Sequence, residues 1–190
     1  MKLPSHIKAV CFDAFGTLVE IEDKRRSHAK LLSLIDSPAR EKLKHVIMRE
    51  PLSLDDCVAQ YAPNLPKDAI YDLKTDLHAE LTSISRRPKI DFLWRTLIDD
   101  GYKIGLCSNL ALSYGPPLLD KLPSQADALI LSYETGYIKP EPQIYQRVCD
   151  RLSLPANAIL FTGDTQAADI DGPIEFGMNA IHIDELLSQL

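Results

Sequence analysis

The sequence predicts an α/β fold: a doubly wound parallel sheet with an all-helical cap inserted after its first strand. Two observations carry that expectation. Short, nearly continuous apolar runs alternate with amphipathic segments toward both ends of the chain, whereas residues 21–87 show helical apolar spacing and no convincing strand. Continuous apolar runs belong to strands covered on both faces, as in a parallel sheet, and alternation of strand with helix is the mark of a doubly wound domain.

The first strand is "IKAVCF" (7–12), and the core is expected to occupy residues 1–20 and 88–190. Within 21–87 the spacing predicts helices over 24–35, 39–49, 54–61 and 67–83, with "DSP" (36–38), "EPLS" (50–53) and "APNLP" (62–66) as the connections. A helix at 91–100 ends at Gly101, and the strand "KIGLC" (103–107) comes next. Then come a helix at 113–121, the strand "ALILS" (128–132), a helix at 141–152 and the strand "AILFT" (158–162). A helix at 166–176, stopped by Gly177, precedes the last strand, "AIHI" (180–183).

Bulk properties narrow the function. A net charge of −6 repels phosphate backbones and anionic lipid, so neither nucleic acid nor a membrane is an expected partner. The pairs Arg25-Arg26 and Arg86-Arg87 are too short to be basic tracts. The start "MKLPSHIKAV" lacks the unbroken apolar stretch of a signal peptide, and no run approaches the ~20 residues of a membrane span. Cys11, Cys57, Cys107 and Cys149 form no C-x-x-C pair, which predicts buried free thiols and a reducing, cytoplasmic setting.

Ligands of doubly wound sheets bind at the carboxyl ends of the strands. Each apolar run ends there in polar residues: Asp13 and Thr17 after the first, then Ser108 and Asn109, then Lys139, then Asp164 and Asp169. Each has an ordinary alternative role, as turn former, helix cap or solvated loop lysine. Their convergence on one sheet edge predicts a site. Two acidic strand ends suit Mg²⁺, which takes one or two carboxylates and keeps several waters. An Asp13 oxygen can serve as a nucleophile, while hydroxyls, main-chain N–H groups and Lys139 can bind a small anionic substrate.

"DAFGTL" (13–18), "CSN" (107–109), "GYIKPEPQIY" (136–145) and "FTGDTQAADIDGPIEFGM" (161–178) resemble, in order and spacing, the motifs of the haloacid dehalogenase-like superfamily. The resemblance implies a Rossmann-like core, Asp13 as nucleophile with Thr17 in support, and Ser108, Asn109 and Lys139 at the reacting group. It also implies a Mg²⁺ site made by Asp13, the main-chain carbonyl of Phe15, Asp164 and Asp169.

Family phosphatases usually carry a second aspartate two residues after the nucleophile, where it protonates the leaving oxygen. Here that residue is Phe15, which holds no transferable proton. Three readings are open. The resemblance fits a Mg²⁺-dependent phosphate-ester hydrolase whose leaving group needs little protonation, or a relative that uses a cap lysine such as Lys24, Lys30 or Lys42. It also fits a metal-free 2-haloacid dehalogenase. Asn109 and Tyr145 suit that branch and Arg25 or Arg26 could meet the halide, but Leu110 and the Gly163-Asp164 pair depart from it. The third reading is a degenerate member kept as a binding or regulatory protein.

Overall fold

The computed structural model describes residues 3–190. Its centre is a five-stranded, wholly parallel sheet. In chain order the elements begin with β1 (Ala9–Phe12), β2 (Val19–Ile21), α1 (Ser27–Leu34), α2 (Ser37–Val46), α3 (Leu54–Tyr61) and α4 (Lys67–Thr82). They continue with β3 (Ile84–Arg86), α5 (Ile90–Asp99), β4 (Lys103–Ser108), α6 (Gly115–Leu119), β5 (Ala128–Leu131) and α7 (Ser132–Thr135). The last are α8 (Pro142–Leu152), β6 (Ile159–Gly163), α9 (Gly172–Phe176), β7 (Asn179–His182) and α10 (Ile183–Ser188).

The sheet runs β5-β4-β1-β6-β7, so the chain winds outward on one side of β1 and then returns to wind outward on the other. β1 therefore lies in the middle, with Phe12 level with Leu106 of β4 and Thr162 of β6. That register brings the residues at the ends of all three strands to one crevice, the expected ligand position for this topology.

All five expected core strands form, and both faces of the sheet are covered. Val10 and Phe12 point into a core with Leu93, Trp94 and Leu97 of α5. Ala9 and Cys11 point the other way, toward Ile144, Tyr145 and Val148 of α8. This explains why β1 reads as continuously apolar rather than alternating. Trp94 stacks on Phe12 with ring centroids 5.8 Å apart, and its indole N–H donates to Ser124 Oγ at 2.9 Å. All four cysteines are free and buried.

The cap helices share a separate core of Leu31, Leu43, Leu54, Cys57, Leu73 and Leu77, to which the sheet domain adds Ala111. The expected helix at 24–35 begins only at Ser27, because Arg26 takes a left-handed conformation (φ 59°). Buried Glu80 of α4 accepts the Arg26 N–H at 2.7 Å and the Ser27 N–H at 3.1 Å, and these bonds fix that start. α2 starts earlier than expected, at Ser37, since Asp36 caps it through the Ala39 N–H. A reciprocal Ser53–Asp56 capping box begins α3 at the expected residue.

Several elements differ from the sequence expectation. β2 and β3 pair antiparallel, Val19 with Arg86 and Ile21 with Ile84, as a ribbon where the chain enters and leaves the cap. Three-residue strands are too short to leave a readable period, and Ile84–Arg86 lies in a stretch expected to hold no strand. The helix expected at 113–121 divides into a 3₁₀ turn (Leu112–Tyr114) and α6, with Gly115-Pro116-Pro117 at the junction. Consecutive prolines supply no N–H to carry one helix through. The helix expected at 166–176 likewise splits, into a π-helical segment (Gln166–Asp171) and α9, whose first residues are Gly172-Pro173. Short α7 and α10 directly succeed β5 and β7 and have no counterpart in the sequence expectation.

Trp94 is the largest fully buried side chain among the described residues and bridges α5 to β1. Trp94→Ala should cost about 3–5 kcal/mol, read as a lower urea midpoint in circular dichroism with little change in slope.

Candidate active site

The strand ends place Asp13, Ser108 and Lys139 in direct contact. Asp13 sits just after β1 and is only 7% exposed, its N–H donating to Thr162 O of the neighbouring strand. Its Oδ1 accepts from Lys139 Nζ at 2.7 Å and from Ser108 Oγ at 3.2 Å, and its Oδ2 faces Thr17 Oγ1 at 3.4 Å. Lys139 Nζ also donates to Asp169 Oδ1 at 2.6 Å and lies 5.2 Å from the centre of the Phe161 ring. The second Asp169 oxygen accepts the Thr165 N–H at 3.0 Å.

This is a buried ionic triad: Lys139 is 4% exposed and Asp169 1%. Burial pulls the Lys139 ammonium down, but the negative charges of Asp13 and Asp169 outweigh it and hold Lys139 above its ordinary value. The lysine is therefore a fixed positive charge rather than a proton donor at neutral pH. Cys107, behind the site, is pushed up to about 12, chiefly by burial against the opposing pull of Lys139. It stays a neutral thiol and adds no anion to the crevice.

Glycines create the space for the acids. Asp164 is exposed on the rim, and a Cβ at Gly16 would lie 2.1 Å from its Oδ2. Gly16 also holds φ +85°, which suits glycine in this turn. A Cβ at Gly163 would fall 2.3 Å from the Asp169 carboxylate carbon. At Gly163 only glycine leaves room for the buried Asp169 side chain, whereas at Gly16 it is the positive φ that calls for glycine.

Asn109 acts on the main chain of Lys139. Its Nδ2 donates to Lys139 O at 2.9 Å and its Oδ1 accepts the Lys139 N–H at 2.8 Å, a two-point clamp that sets the lysine's height over Asp13. Tyr145, which suits the dehalogenase branch by position, sends its hydroxyl to Ala168 O at 2.7 Å and packs edge-on against Phe161. Phe15 turns its ring toward the cap and meets Tyr114 edge to face, with centroids 5.9 Å apart.

Three contributors lie outside the set that the sequence singles out. Ser132 Oγ accepts the Leu110 N–H at 3.0 Å and donates to Leu110 O at 3.3 Å, stitching the loop after β4 to the end of β5. Arg87, one of a pair too short to form a basic tract, donates to Gly16 O at 2.6 Å and to Asp184 at 2.8 Å. It ties the Gly16 turn to the cap's return strand and to α10. Arg49 of the cap pairs with Glu141, two residues beyond Lys139, and also donates to Gly136 O at 3.1 Å. None leaves a sequence signal, since each acts across 22 or more residues on main-chain or surface groups.

Two cavities lie on either side of Phe15, and neither is lined by Asp13, Lys139 or Asp169. A polar cleft of about 680 Å³ is bordered by Phe15, Gly16 and Asp164, by Lys24, Arg26 and Arg87, and by Glu20, Glu80 and Asp184. A second, mainly apolar cavity of about 330 Å³ lies between core and cap, and Phe15 and Ile21 border both.

The family model of haloacid dehalogenase-like hydrolases matches residues 7–177. The chain belongs to that family. It is thus a hydrolase with the family's α/β fold, as the four motifs implied. It is 24% identical over 93% of its length to (S)-2-haloacid dehalogenase 4A of Burkholderia cepacia, covering 83% of that protein. It is 25% identical over 95% of its length to (S)-2-haloacid dehalogenase 1 of Pseudomonas sp. (strain CBS-3), covering 86%. A family enzyme of Bacteroides thetaiotaomicron, solved with magnesium and inorganic phosphate, superposes with a TM-score of 0.64 at 18% identity over 93% of both chains. At that identity the likeness establishes the fold.

Removing Lys139 leaves two buried carboxylates without compensation, whereas removing Asn109 costs two hydrogen bonds. Lys139→Met should destabilise by about 3–5 kcal/mol and Asn109→Ala by about 1–3 kcal/mol, compared by urea unfolding.

Proposed function

We propose that the protein is a Mg²⁺-dependent hydrolase of small phosphate esters in which Asp13 forms a covalent intermediate. One observation carries the reading. Asp13, Asp164 and Asp169 each present a carboxylate oxygen, all within 4.8 Å of one another, and Lys139 is the ammonium bound among them. Three carboxylates against one ammonium would repel an anionic substrate. A divalent cation removes that repulsion, and an all-oxygen donor set suits Mg²⁺.

Asp13, Asp164 and the main-chain carbonyl of Phe15 would hold the ion. Asp169, expected among the ligands, lies in the same carboxylate group and also accepts from Lys139 and the Thr165 N–H, so it would serve the ion and the lysine together. Bound Mg²⁺ supplies charge neutralisation at the phosphoryl oxygens. The Asp13 oxygen not bound by Lys139 attacks phosphorus, the ester P–O bond breaks, and the leaving oxygen departs with that electron pair. Water then attacks the aspartyl phosphate, which releases inorganic phosphate and restores the Asp13 carboxylate. Lys139 and Ser108 hold Asp13 and meet the developing negative charge. The cap helices stand beside the site and would limit the access of bulk water while admitting the attacking one.

A metal-free dehalogenase is the second reading, favoured by Phe15, by the apolar cavity beside it and by the two curated relatives. In that reaction Asp13 displaces halide from carbon and no leaving-group proton is needed. The two are separated by assaying phosphate release from an ester panel with Mg²⁺ and with EDTA, beside chloride release from 2-chloropropionate. We expect Mg²⁺-dependent phosphate release that Asp13→Asn abolishes. Chloride release without metal, and no phosphate release, would replace this reading with the second. Phe15→Asp should raise turnover of alkyl phosphates, whose leaving groups most need a proton, by on the order of 10²-fold.

A further inference from the structure

The turn that carries Lys139 is braced from the cap. Ile138 and Glu141 close that turn twice: the Glu141 N–H donates to Ile138 O at 2.8 Å, and the Ile138 N–H donates to Glu141 Oε2 at 3.0 Å. Lys139 stands between them, its ammonium shared by Asp13 and Asp169. Asn109 holds the lysine's main chain from the core side. Arg49 completes the enclosure from the cap. Its Nη2 donates to Glu141 Oε1 at 2.7 Å and its Nη1 to Glu141 Oε2 at 2.9 Å, while Nη1 also donates to Gly136 O at 3.1 Å. One planar guanidinium thus spans the loop from Gly136 to Glu141, which the single ammonium of a lysine would not reproduce.

Two features separate this fork from an ordinary surface ion pair. The Arg49 and Glu141 side chains are 19% and 35% exposed, against 51% and 65% for Lys44 and Glu41 of α2. Pairs as open as the latter contribute little. Arg49 is also rooted beside open space. Its N–H donates to Val46 O at 2.8 Å, which fixes it to the end of α2, and the two residues before it, Ile47 and Met48, line the cavity between core and cap. Asn109 lines that cavity from the opposite side. Core and cap are not packed together there, so directed bonds hold the cap beside the Lys139 turn. Chiefly through Arg49, the Glu141 carboxyl is held below its ordinary range, and the pair stays charged at neutral pH.

We infer that Arg49 is a positioning residue for the reaction: through Glu141 it sets the turn that places the Lys139 ammonium against Asp13. The seating of the cap and the arrangement of charge at the nucleophile are therefore coupled. Lys139 touches Asp13 whichever bond Asp13 attacks, so the inference holds for phosphate-ester and carbon–halogen hydrolysis alike.

The test compares the wild-type protein with Arg49→Gln, Arg49→Lys and, as the exposed-pair control, Lys44→Gln. Amide hydrogen exchange read by mass spectrometry follows residues 136–141. Steady-state kinetics follows phosphate release from 4-nitrophenyl phosphate with Mg²⁺ or chloride release from 2-chloropropionate, whichever the wild type shows. In Arg49→Gln, exchange over 136–141 should speed up by about tenfold, the loss of one charge-assisted fork. Its kcat should fall by on the order of tenfold while KM stays within about twofold, because the displaced group acts on the reacting centre rather than on substrate binding. Arg49→Lys keeps the charge without the fork and should recover part of both effects, and Lys44→Gln should produce neither. Unchanged exchange over 136–141 in Arg49→Gln would overturn the inference, as would faster exchange spread evenly through the cap helices. Faster exchange with kcat unchanged would also overturn it, by making the fork a structural tie alone. A wild type active in neither assay would overturn the hydrolytic readings above, and the exchange comparison would still decide whether Arg49 braces the turn.

Discussion

The Lys139 ammonium held between Asp13 and Asp169 is the constraint on which the site depends. It joins the end of β1, the loop after α7 and the segment after β6, at contacts of 2.7 and 2.6 Å. Buried charges are costly, and this set is tolerable only because each is paired and its position is enforced from outside. Asn109 fixes the lysine's main chain, Gly163 leaves space for Asp169, and the Thr165 N–H completes Asp169. The parallel sheet supplies the alignment, since Phe12, Leu106 and Thr162 lie level across β1, β4 and β6.

Around that centre the chemistry divides between two surfaces. Asp164 and the Gly16 turn face a polar cleft edged by Lys24, Arg26 and Arg87 and by Glu20, Glu80 and Asp184. Phe15 borders this cleft and also the apolar cavity made jointly with the cap. One side chain thus stands between the two. The cap is tied down on both sides of this division. Glu80 accepts from α1 main-chain groups and from Tyr114, while Arg49 reaches Glu141 and Gly136.

The parts legible in the sequence are those with a local physical cause. β1 is readable because burial on both faces demands an unbroken apolar run, and α3 because Ser53 and Asp56 cap it in sequence. The site residues are readable because a polar group directly after a buried strand is conspicuous. The features that escape are made by distant partners. The β2–β3 ribbon joins residues more than 60 positions apart with no period of its own. The start of α1 is illegible because Glu80, 53 residues away, supplies its cap. Asn109 is expected at the reacting group, and the clamp its amide makes on the main chain of Lys139, 30 residues away, has no sequence signal.

The sequence by itself determined the parallel core, the helical insertion and the set of acids, hydroxyls and lysine at the strand ends. Hydrophobic periodicity and motif order are properties of the chain alone. Only the tertiary structure decided what those groups do to one another: that Asp169 holds the lysine, that Asp164 rests against Gly16, and that Asn109 clamps the main chain of Lys139. Hydrogen bonding and burial depend on distances between residues far apart in the chain, and folding alone fixes those distances.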